Sequence, residues 1–360
     1  MGERNALIGQ PPRVPATGAS GRHAGVHPGK RTHGIIGPMT RLLASLLLML
    51  LCANLRAQEP GRGATTPDPL PPLPEGVALS ALITDARLKE ISGLAVSRRH
   101  PGIVWMHNDS HDANALYGVD AGGSIRATLH LPVPNVDWED IAAFEHEGRF
   151  FLLLADTGDN GGVRKELALH VLEEPEVLAD AHIAQVRTLR FRWPDGARDC
   201  EAVAVDARAG DIWLVSKKRV PPELFRLPLF PKAPETVQVA EARGTLAGIA
   251  QATAQELENN PVYGKYRNQI TAADISPDGM TFAAMSYLHL YLWPRHPEGW
   301  AKALAQAPQR LDLPWLAQAE AMGFDASGRR VWIGSERLPA PLVTLRLPAP
   351  LPARAQPSRK

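Results

Sequence analysis

One pattern recurs five times along this chain of 360 residues. Each copy opens with a carboxylate or hydroxyl residue, runs through small and apolar residues to a glycine-containing turn, and ends in an apolar strand such as "DIWLVS" or "RVWIGS". Internal similarity of this kind predicts a repeat architecture, in which each copy forms one structural unit. The opening residues of the copies are Glu90, Glu139, Glu201, Thr271 and Glu320. In the last three copies the distance from the opening residue to a serine is constant, and these serines are Ser216, Ser286 and Ser335.

Further strand-like runs follow each copy, for example "ALYGVD" and "IRATLHL" after the first and "ELFRLPLF" and "TVQVAEA" after the third. The last copy is followed only by "PLVTLRLP", and "VALSALIT" at residues 77–84 can supply its missing strand. Pairing the first strand with the last closes a ring and removes exposed sheet edges. The pattern therefore predicts an all-β protein, a five-bladed β-propeller. A six-bladed ring and a sandwich of similar strands are the alternatives.

The N-terminal part has the composition of a targeting segment. Arg41 precedes an apolar run from Leu42 to Leu55, and Ala57 offers a small residue for cleavage. A basic start, a short apolar stretch and a small residue are typical of a secretory signal. The run is shorter than the ~20 apolar residues of a membrane span, so we expect a periplasmic or secreted protein with no transmembrane span in the mature chain. Leu51 stands before Cys52 where a lipoprotein needs a small residue, which argues against lipidation.

This interpretation divides the chain into five parts. They are an upstream extension (1–38), a signal peptide (39–57), a proline-rich linker (58–76), the propeller (77–350) and a short tail (351–360). Beyond the signal, acidic residues outnumber basic ones, and a mildly acidic domain is a poor ligand for nucleic acid polymers.

The propeller fold predicts where the opening residues meet. The first strand of each blade lines the central channel, and the second runs antiparallel beside it. The five opening residues and the ends of the second strands therefore meet at one face, called here the mouth. Residues 244–268 fit no repeat and join the third blade to the fourth. Because the connection entering the fourth blade reaches this face, we expect the segment to cover the mouth. Long insertions of this kind are often functional.

Four carboxylates at a narrow mouth need compensation. A like-charge contact at about 4 Å costs about 1 kcal/mol in water and about 4 kcal/mol at an effective dielectric constant of 20. Either some carboxyl groups are protonated or a cation binds. A ring of oxygen ligands with several carboxylates suits Ca²⁺, and a cluster of His or Cys with zinc spacing is absent. We therefore expect a Ca²⁺ site whose ligands are the five opening residues, Glu90, Glu139, Glu201, Thr271 and Glu320. The alternative is that these side chains only accept backbone N–H bonds from neighbouring blades.

The strand ends at the mouth supply further candidates. Asp109 and Asp156 are candidate catalytic carboxylates that could activate water. Candidate residues for binding an anionic substrate are Lys217, Lys218, Arg337, Lys265 and Arg267.

The five motifs, among them "KEISGLAV", "WEDIAAF" and "CEAVAV", resemble those of the calcium-activated nucleotidases, a family of secreted apyrases. The resemblance implies a five-bladed propeller with Ca²⁺ in the channel, held by Glu residues that open most blades and by a Ser in the fourth. Thr271 stands in place of that Ser, and Lys217–Lys218 matches a basic pair near the nucleotide phosphates. The acidic "ADTGDN" at the end of the second blade has no counterpart in the family. The signatures "WED", "GDN" and "SPDG" are also similar to those of uncharacterised exported bacterial propellers, and a weaker similarity is to calcium-dependent lactonases.

Two functions follow from this sequence. The first is a calcium-dependent hydrolase of a phosphorylated or other anionic substrate, with a lactonase-like hydrolase as a variant of it. The second is a non-catalytic propeller with a structural ion in its channel, which binds a glycan or a protein.

Overall fold

The computed structural model describes residues 73–261 and 264–348. The predicted upstream extension, signal peptide, linker residues 58–72 and C-terminal tail lie outside the described residues, so these boundaries stay predictions. Within the described part, the strands form five mainly antiparallel sheets, in agreement with the five predicted blades. No helix there is long and apolar enough to cross a membrane.

The blades follow one another along the chain. β1 (Val77–Ile83) precedes the first blade. The first blade contains β2 (Ile91–Val96), β3 (Ile103–Asn108), β4 (Ala115–Asp120) and β5 (Ile125–His130). The second contains β6 (Trp138–His146), β7 (Arg149–Asp156), β8 (Leu167–Glu173) and, after the two-residue β9 (Ala181–His182), β10 (Arg187–Arg192). The third contains β11 (Cys200–Asp206), β12 (Asp211–Ser216), β13 (Glu223–Pro228) and, after the two-residue β14 (Gln238–Val239), β15 (Glu241–Thr245). The fourth contains β16 (Ile270–Ile275), β17 (Thr281–Ser286), β18 (His289–Pro294) and β19 (Gln309–Asp312). The fifth contains β20 (Ala319–Phe324), β21 (Arg330–Ser335) and β22 (Ala340–Arg346).

The ring closes as the sequence predicts. β1 pairs antiparallel with β22, from Val77 opposite Leu345 to Ile83 opposite Ala340, and becomes the outer strand of the fifth blade. β9 and β14 each extend a neighbouring sheet by a short parallel pairing. The innermost strands β2, β6, β11, β16 and β20 contact one another in sequence around the channel, and β20 contacts β2.

The blades pack through apolar side chains and are tied together by two buried carboxylates. Asp140 on β6 accepts the N–H of Val203 at 2.8 Å and of Ala273 at 3.2 Å, so one side chain joins three blades. Asp274 on β16 accepts the N–H of Phe324 at 2.9 Å and joins the fourth blade to the fifth. These bonds satisfy backbone groups of inner strands that would otherwise be buried without a partner.

Two short helices interrupt the strand pattern near the fourth blade. α1 (Ala254–Asn259) and a 3₁₀ turn (Gly264–Tyr266) lie between β15 and β16, in the segment that fits no repeat. α1 begins with a capping box, in which Thr253 and Glu256 bond to each other's backbone N–H. α2 (Trp300–Leu304) lies between β18 and β19.

Candidate functional site

Each innermost strand carries a β-bulge at the same place, next to the mouth. The residue that pairs with the end of the second strand is followed by one residue that has no partner. A bulge redirects its side chain, and bulges are enriched beside functional sites. The five bulge residues are Ser92, Glu139, Glu201, Thr271 and Glu320.

The bulges confirm the predicted alignment of four blades and correct the first. Glu139, Glu201, Thr271 and Glu320 hold equivalent positions, and the serines Ser216, Ser286 and Ser335 pair with the residues just before the last three of these. In the first blade Ser92 holds the bulge, whereas Glu90 lies two residues earlier and is exposed. The sequence alignment of that blade is therefore wrong by two residues, because Ser92 belongs to the run of small and apolar residues "ISGLAV" and gives no sign of the bulge.

The two hydroxyl residues of this ring bond to the following blade. Thr271 donates its hydroxyl hydrogen to the carbonyl oxygen of Ala319 at 2.8 Å, and Ser92 donates to the carbonyl oxygen of Glu139 at 3.0 Å. These bonds hold neighbouring blades together at the mouth. Two side chains of the ring therefore link blades, but they donate to carbonyl oxygens and do not accept N–H bonds as the alternative to metal binding predicts.

A second tier of side chains lies two residues before the bulges. It consists of Glu90, Asp137, Asp199, Gln269 and Gln318. Asp137 and Asp199 were not among the predicted ligands. Their signal in the sequence is the repeated Asp-x-Glu of "DWE" and "DCE", which places two carboxylates of one blade on either side of the strand's first paired residue.

The residues that follow the second strands form a third tier. Their backbone N–H groups bond to the carbonyl oxygens of the second-tier residues. Asp109 donates to Glu90 at 2.9 Å, Lys217 to Asp199 at 3.1 Å and Glu336 to Gln318 at 3.0 Å. In the second blade this place is taken by Gly158, which donates to Asp137 at 3.1 Å. Thr157 is thus an additional residue, and it displaces the "DTGDN" turn relative to the other blades.

The carboxylates of these tiers form two triads with one member in common. Asp109, Asp137 and Glu139 bring one oxygen each to within 4.8 Å of one another, and Glu139, Asp199 and Glu201 do the same. The second triad is buried and meets two lysines: Lys217 contacts Glu201, and Lys218 lies 2.9 Å from Asp199. Of the described residues, no lysine, arginine or histidine lies within ion-pair distance of the first triad.

Gly158 fits closely against the first triad. A Cβ atom at this position would lie 2.1 Å from Oε1 of Glu139 and 2.4 Å from Oδ2 of Asp137. Both distances are far below ordinary contact, so any larger residue at this position would force the two carboxylates to shift. Two carboxylate oxygens thus face the same stretch of bare backbone.

Burial and mutual repulsion perturb the acids at the mouth. Burial raises the pKa of Asp137 to about 6, and the nearby charge of Asp109 adds to the effect. Burial also raises the pKa of Glu139 and of Glu201 well above the ordinary value; repulsion from Glu201 adds at Glu139, whereas Lys217 opposes the rise at Glu201. Burial is thus the main cause of these shifts, and repulsion among the carboxylates adds to it.

Glu336 is a further perturbed acid that the sequence did not reveal. Burial raises its pKa to about 7, and repulsion from Glu320 contributes. Tyr287 donates its hydroxyl to Glu320 at 2.6 Å, and burial, together with that carboxylate, raises the pKa of the tyrosine. A carboxyl group with a pKa near 7 is suited to general acid–base chemistry.

The predicted catalytic Asp156 is engaged elsewhere. Its carboxylate accepts a hydrogen bond from Arg164 at 2.7 Å and another from the N–H of Asp137 at 3.2 Å. Burial alone would raise the pKa of Asp156, but His170 and Arg164 outweigh burial and lower it. A base role for Asp156 would require this ion pair to open. Asp109, by contrast, is partly exposed and lies in the first triad.

The predicted anion-binding residues do not form one cluster of free cations. Lys217 and Lys218 are committed to carboxylates, and Lys218 also donates to Asn160 at 2.6 Å. Arg337 is exposed and lies 3.8 Å from Glu336. Lys265 lies over the ring of its neighbour Tyr266, and no contact joins Lys265 or Arg267 to the two triads. An anion-binding role for these five residues stays a prediction.

Comparison with known proteins identifies no family for this chain. No protein-family model and no curated protein matches this chain. Among solved structures, the crystal structure of RRP9 WD40 repeats is 17% identical, with 72% of this chain and 67% of that chain covered and a TM-score of 0.35. A structure of U3-55K is 16% identical, with 71% and 68% covered and a TM-score of 0.34. These likenesses carry no inference about function, and the propeller assignment rests on the strand pairing of this chain.

Proposed function

We propose that the chain is a Ca²⁺-binding propeller whose resident ion is held by Asp109, Asp137 and Glu139. The observation that carries this proposal is the contrast between the two triads: two lysines pair with Glu201 and Asp199 of the second triad, whereas no cation among the described residues lies within ion-pair distance of the first. Three carboxylates within 4.8 Å of one another are unfavourable when ionised and uncompensated. A divalent cation would remove that repulsion.

The donor set fits a hard cation. The three side chains offer only oxygen atoms, which suits Ca²⁺ and excludes a zinc site built on His or Cys. Gly158 supports the fit, since a side chain there would occupy the space beside Glu139 and Asp137. Glu201 and Glu320, predicted as ligands, are compensated by Lys217 and Tyr287. Glu90 and Thr271 complete the predicted set and stay predictions.

We further propose that the propeller is exported and acts as a calcium-dependent hydrolase of phosphorylated or other anionic substrates, as the resemblance to the calcium-activated nucleotidases implies. Bound Ca²⁺ would polarise the substrate oxygen and offset the negative charge of the mouth. Glu336, with its pKa of about 7, is poised to take a proton from the attacking water at neutral pH. Arg337 lies beside Glu336 on the exposed rim and would contact the anion.

The test is phosphate release from nucleoside diphosphates with Ca²⁺ and with chelator, extended to other phosphate esters and to lactones. We expect calcium-dependent turnover that is lost in Asp137→Asn and in Glu139→Gln. Lys302→Met, on α2, is the control and should behave as wild type. Absence of calcium-dependent turnover across this panel would rule out the hydrolase function. A failure to bind Ca²⁺ would also rule out the proposed metal site.

A second candidate function is a non-catalytic propeller that binds a protein or glycan, with a structural ion. The observation in its favour is a set of exposed apolar side chains on loops at the mouth: Val163 (75% exposed), Val220 (72%) and Trp315 (81%). Contiguous exposed apolar surface marks interaction sites, so this function requires the three side chains to form one patch. This function predicts that Ca²⁺ raises the melting temperature without any turnover, and that Trp315→Ser weakens partner binding but not Ca²⁺ binding.

A further inference from the structure

Lys217 holds a position inside the carboxylate ring. It comes from the end of β12, and only 12% of its side chain is exposed. Its ammonium group contacts Glu201 and lies 6.0 Å from the centre of the Tyr287 ring. Burial alone would lower the pKa of Lys217, but the nearby Glu201, Tyr287, Glu320 and Glu139 outweigh burial and raise it. The lysine is therefore a permanent cation at this mouth.

The second triad otherwise matches the first. Both triads contain Glu139 and one Asp of the second tier, which is Asp137 in the first triad and Asp199 in the second. In both triads the oxygens lie within 4.8 Å of one another. The second triad is also the more buried of the two. What distinguishes it is that Lys217 and Lys218 reach Glu201 and Asp199.

We propose that Lys217 is a tethered counter-ion that keeps the Glu139, Asp199 and Glu201 triad closed to divalent cations, so that the mouth takes one ion rather than two. This inference rests on the proposed function only for the resident ion at Asp109, Asp137 and Glu139. An ammonium group attached to the fold loses little freedom on pairing, so it competes favourably with an ion drawn from solution. Removing its charge leaves a buried carboxylate without compensation, which a divalent ion can then satisfy.

The experiment is calorimetric titration of Ca²⁺ into the metal-free protein. Four proteins are compared: wild type, Lys217→Met, the double variant Lys217→Met with Glu201→Gln, and Lys302→Met as a matched lysine control. Methionine keeps most of the length and packing of the lysine stem without its charge. We expect one ion per chain in wild type and in the control, and two in Lys217→Met, the added ion having a Kd of about 1 mM or tighter, as in extracellular Ca²⁺ modules. The double variant should return to one.

Thermal unfolding supplies a second readout. We expect Lys217→Met to melt below wild type in chelator and to recover in Ca²⁺, whereas the double variant should melt near wild type in both conditions. If Lys217→Met is insoluble in chelator but folds in Ca²⁺, that recovery supports the inference in the same way. If Lys217→Met does not fold with or without Ca²⁺, while the double variant folds, the inference is overturned.

The outcomes separate this inference from the proposed function. One outcome is that wild type binds no ion, Lys217→Met binds one, and the double variant with Glu201→Gln binds none. This result supports the counter-ion role and refutes the proposed ion at Asp109, Asp137 and Glu139. If Lys217→Met binds as many ions as wild type, with unchanged affinity, the counter-ion role fails while the resident ion stands. If neither protein binds Ca²⁺, both fail.

Discussion

Gly158→Ala is the substitution that tests the first triad most directly. The backbone of Gly158 has no positive φ, so alanine itself is tolerated there. Its Cβ, however, would lie 2.1 Å from Glu139 Oε1 and 2.4 Å from Asp137 Oδ2, where ordinary contact begins near 3.4 Å. Both oxygens must withdraw by about 1 Å, which is large beside Ca–O bonds of about 2.3 to 2.6 Å and the ±0.2 Å tolerance of a metal site.

We expect Gly158→Ala to weaken Ca²⁺ binding by about 10- to 100-fold, the range found when the groups that orient metal ligands are changed. Overpacking of this kind also destabilises the metal-free fold by about 1–3 kcal/mol. Calorimetric titration of Ca²⁺ measures the first effect, and urea unfolding in chelator measures the second.

The matched control is Gly161→Ala in the same loop, because a Cβ at Gly161 would meet its nearest neighbour only at 3.7 Å. Wild-type affinity is expected there. If Gly158→Ala binds Ca²⁺ as tightly as Gly161→Ala, the two carboxylates do not hold the ion and the site lies elsewhere.

Three further predictions concern the fold and the mouth. Glu336→Gln should stabilise the metal-free protein above pH 7 and have no effect near pH 4, because folding raises the pKa of Glu336 from 4.5 to about 7 and wild type therefore loses stability as the pH rises through this range. The shift corresponds to about 3 kcal/mol, and solvent screening of this partly exposed group reduces the expected gain to about 2 kcal/mol. Urea unfolding across pH contradicts this prediction if the two proteins track each other. Thr271→Val, which removes the 2.8 Å bond to Ala319, should cost about 1 kcal/mol in the same assay, and an unchanged midpoint would show that the bond is not needed. Deletion through residue 84 removes β1 and should abolish the cooperative melting transition, whereas deletion through residue 72 should leave it intact; a wild-type transition in the longer deletion would refute closure by β1.

Much of the architecture could be predicted from the sequence because the repeat constrains it. The constant spacing from Glu201 to Ser216 and from Glu320 to Ser335 fixes a hairpin in each blade, and the incomplete last blade calls for a partner strand. In the first blade the sequence points to Glu90 as the opening residue, because Ser92 continues a run of small and apolar residues and is less conspicuous than the glutamate. A bulge depends on hydrogen-bond register between strands, which side-chain composition does not reveal.

The site was predicted only in part, since the repeat identifies which residues are equivalent but not which pair. That Lys217 and Lys218 pair with Glu201 and Asp199 of their own blade and not with Asp137 depends on how long side chains at the end of β12 are oriented. The extra Thr157, which brings Gly158 beside the first triad, is likewise invisible in a count of strands. The repeated Asp-x-Glu of the second and third blades was the readable signal for Asp137 and Asp199.

The pairing of β1 with β22 also constrains how the molecule can assemble. The strand that leaves the ribosome first finds its partner only when the last blade exists, so closing the ring joins distant parts of the chain at a large entropic cost. Until then the ring is open, and the fifth-blade carboxylates Glu320 and Glu336 have no fixed place beside the first blade, to which Ile91 joins them through the carbonyl oxygen of Glu336. The negative charge that these two residues add to the mouth is therefore a property of the finished ring, whereas Asp109, Asp137 and Glu139 come from the first two blades alone.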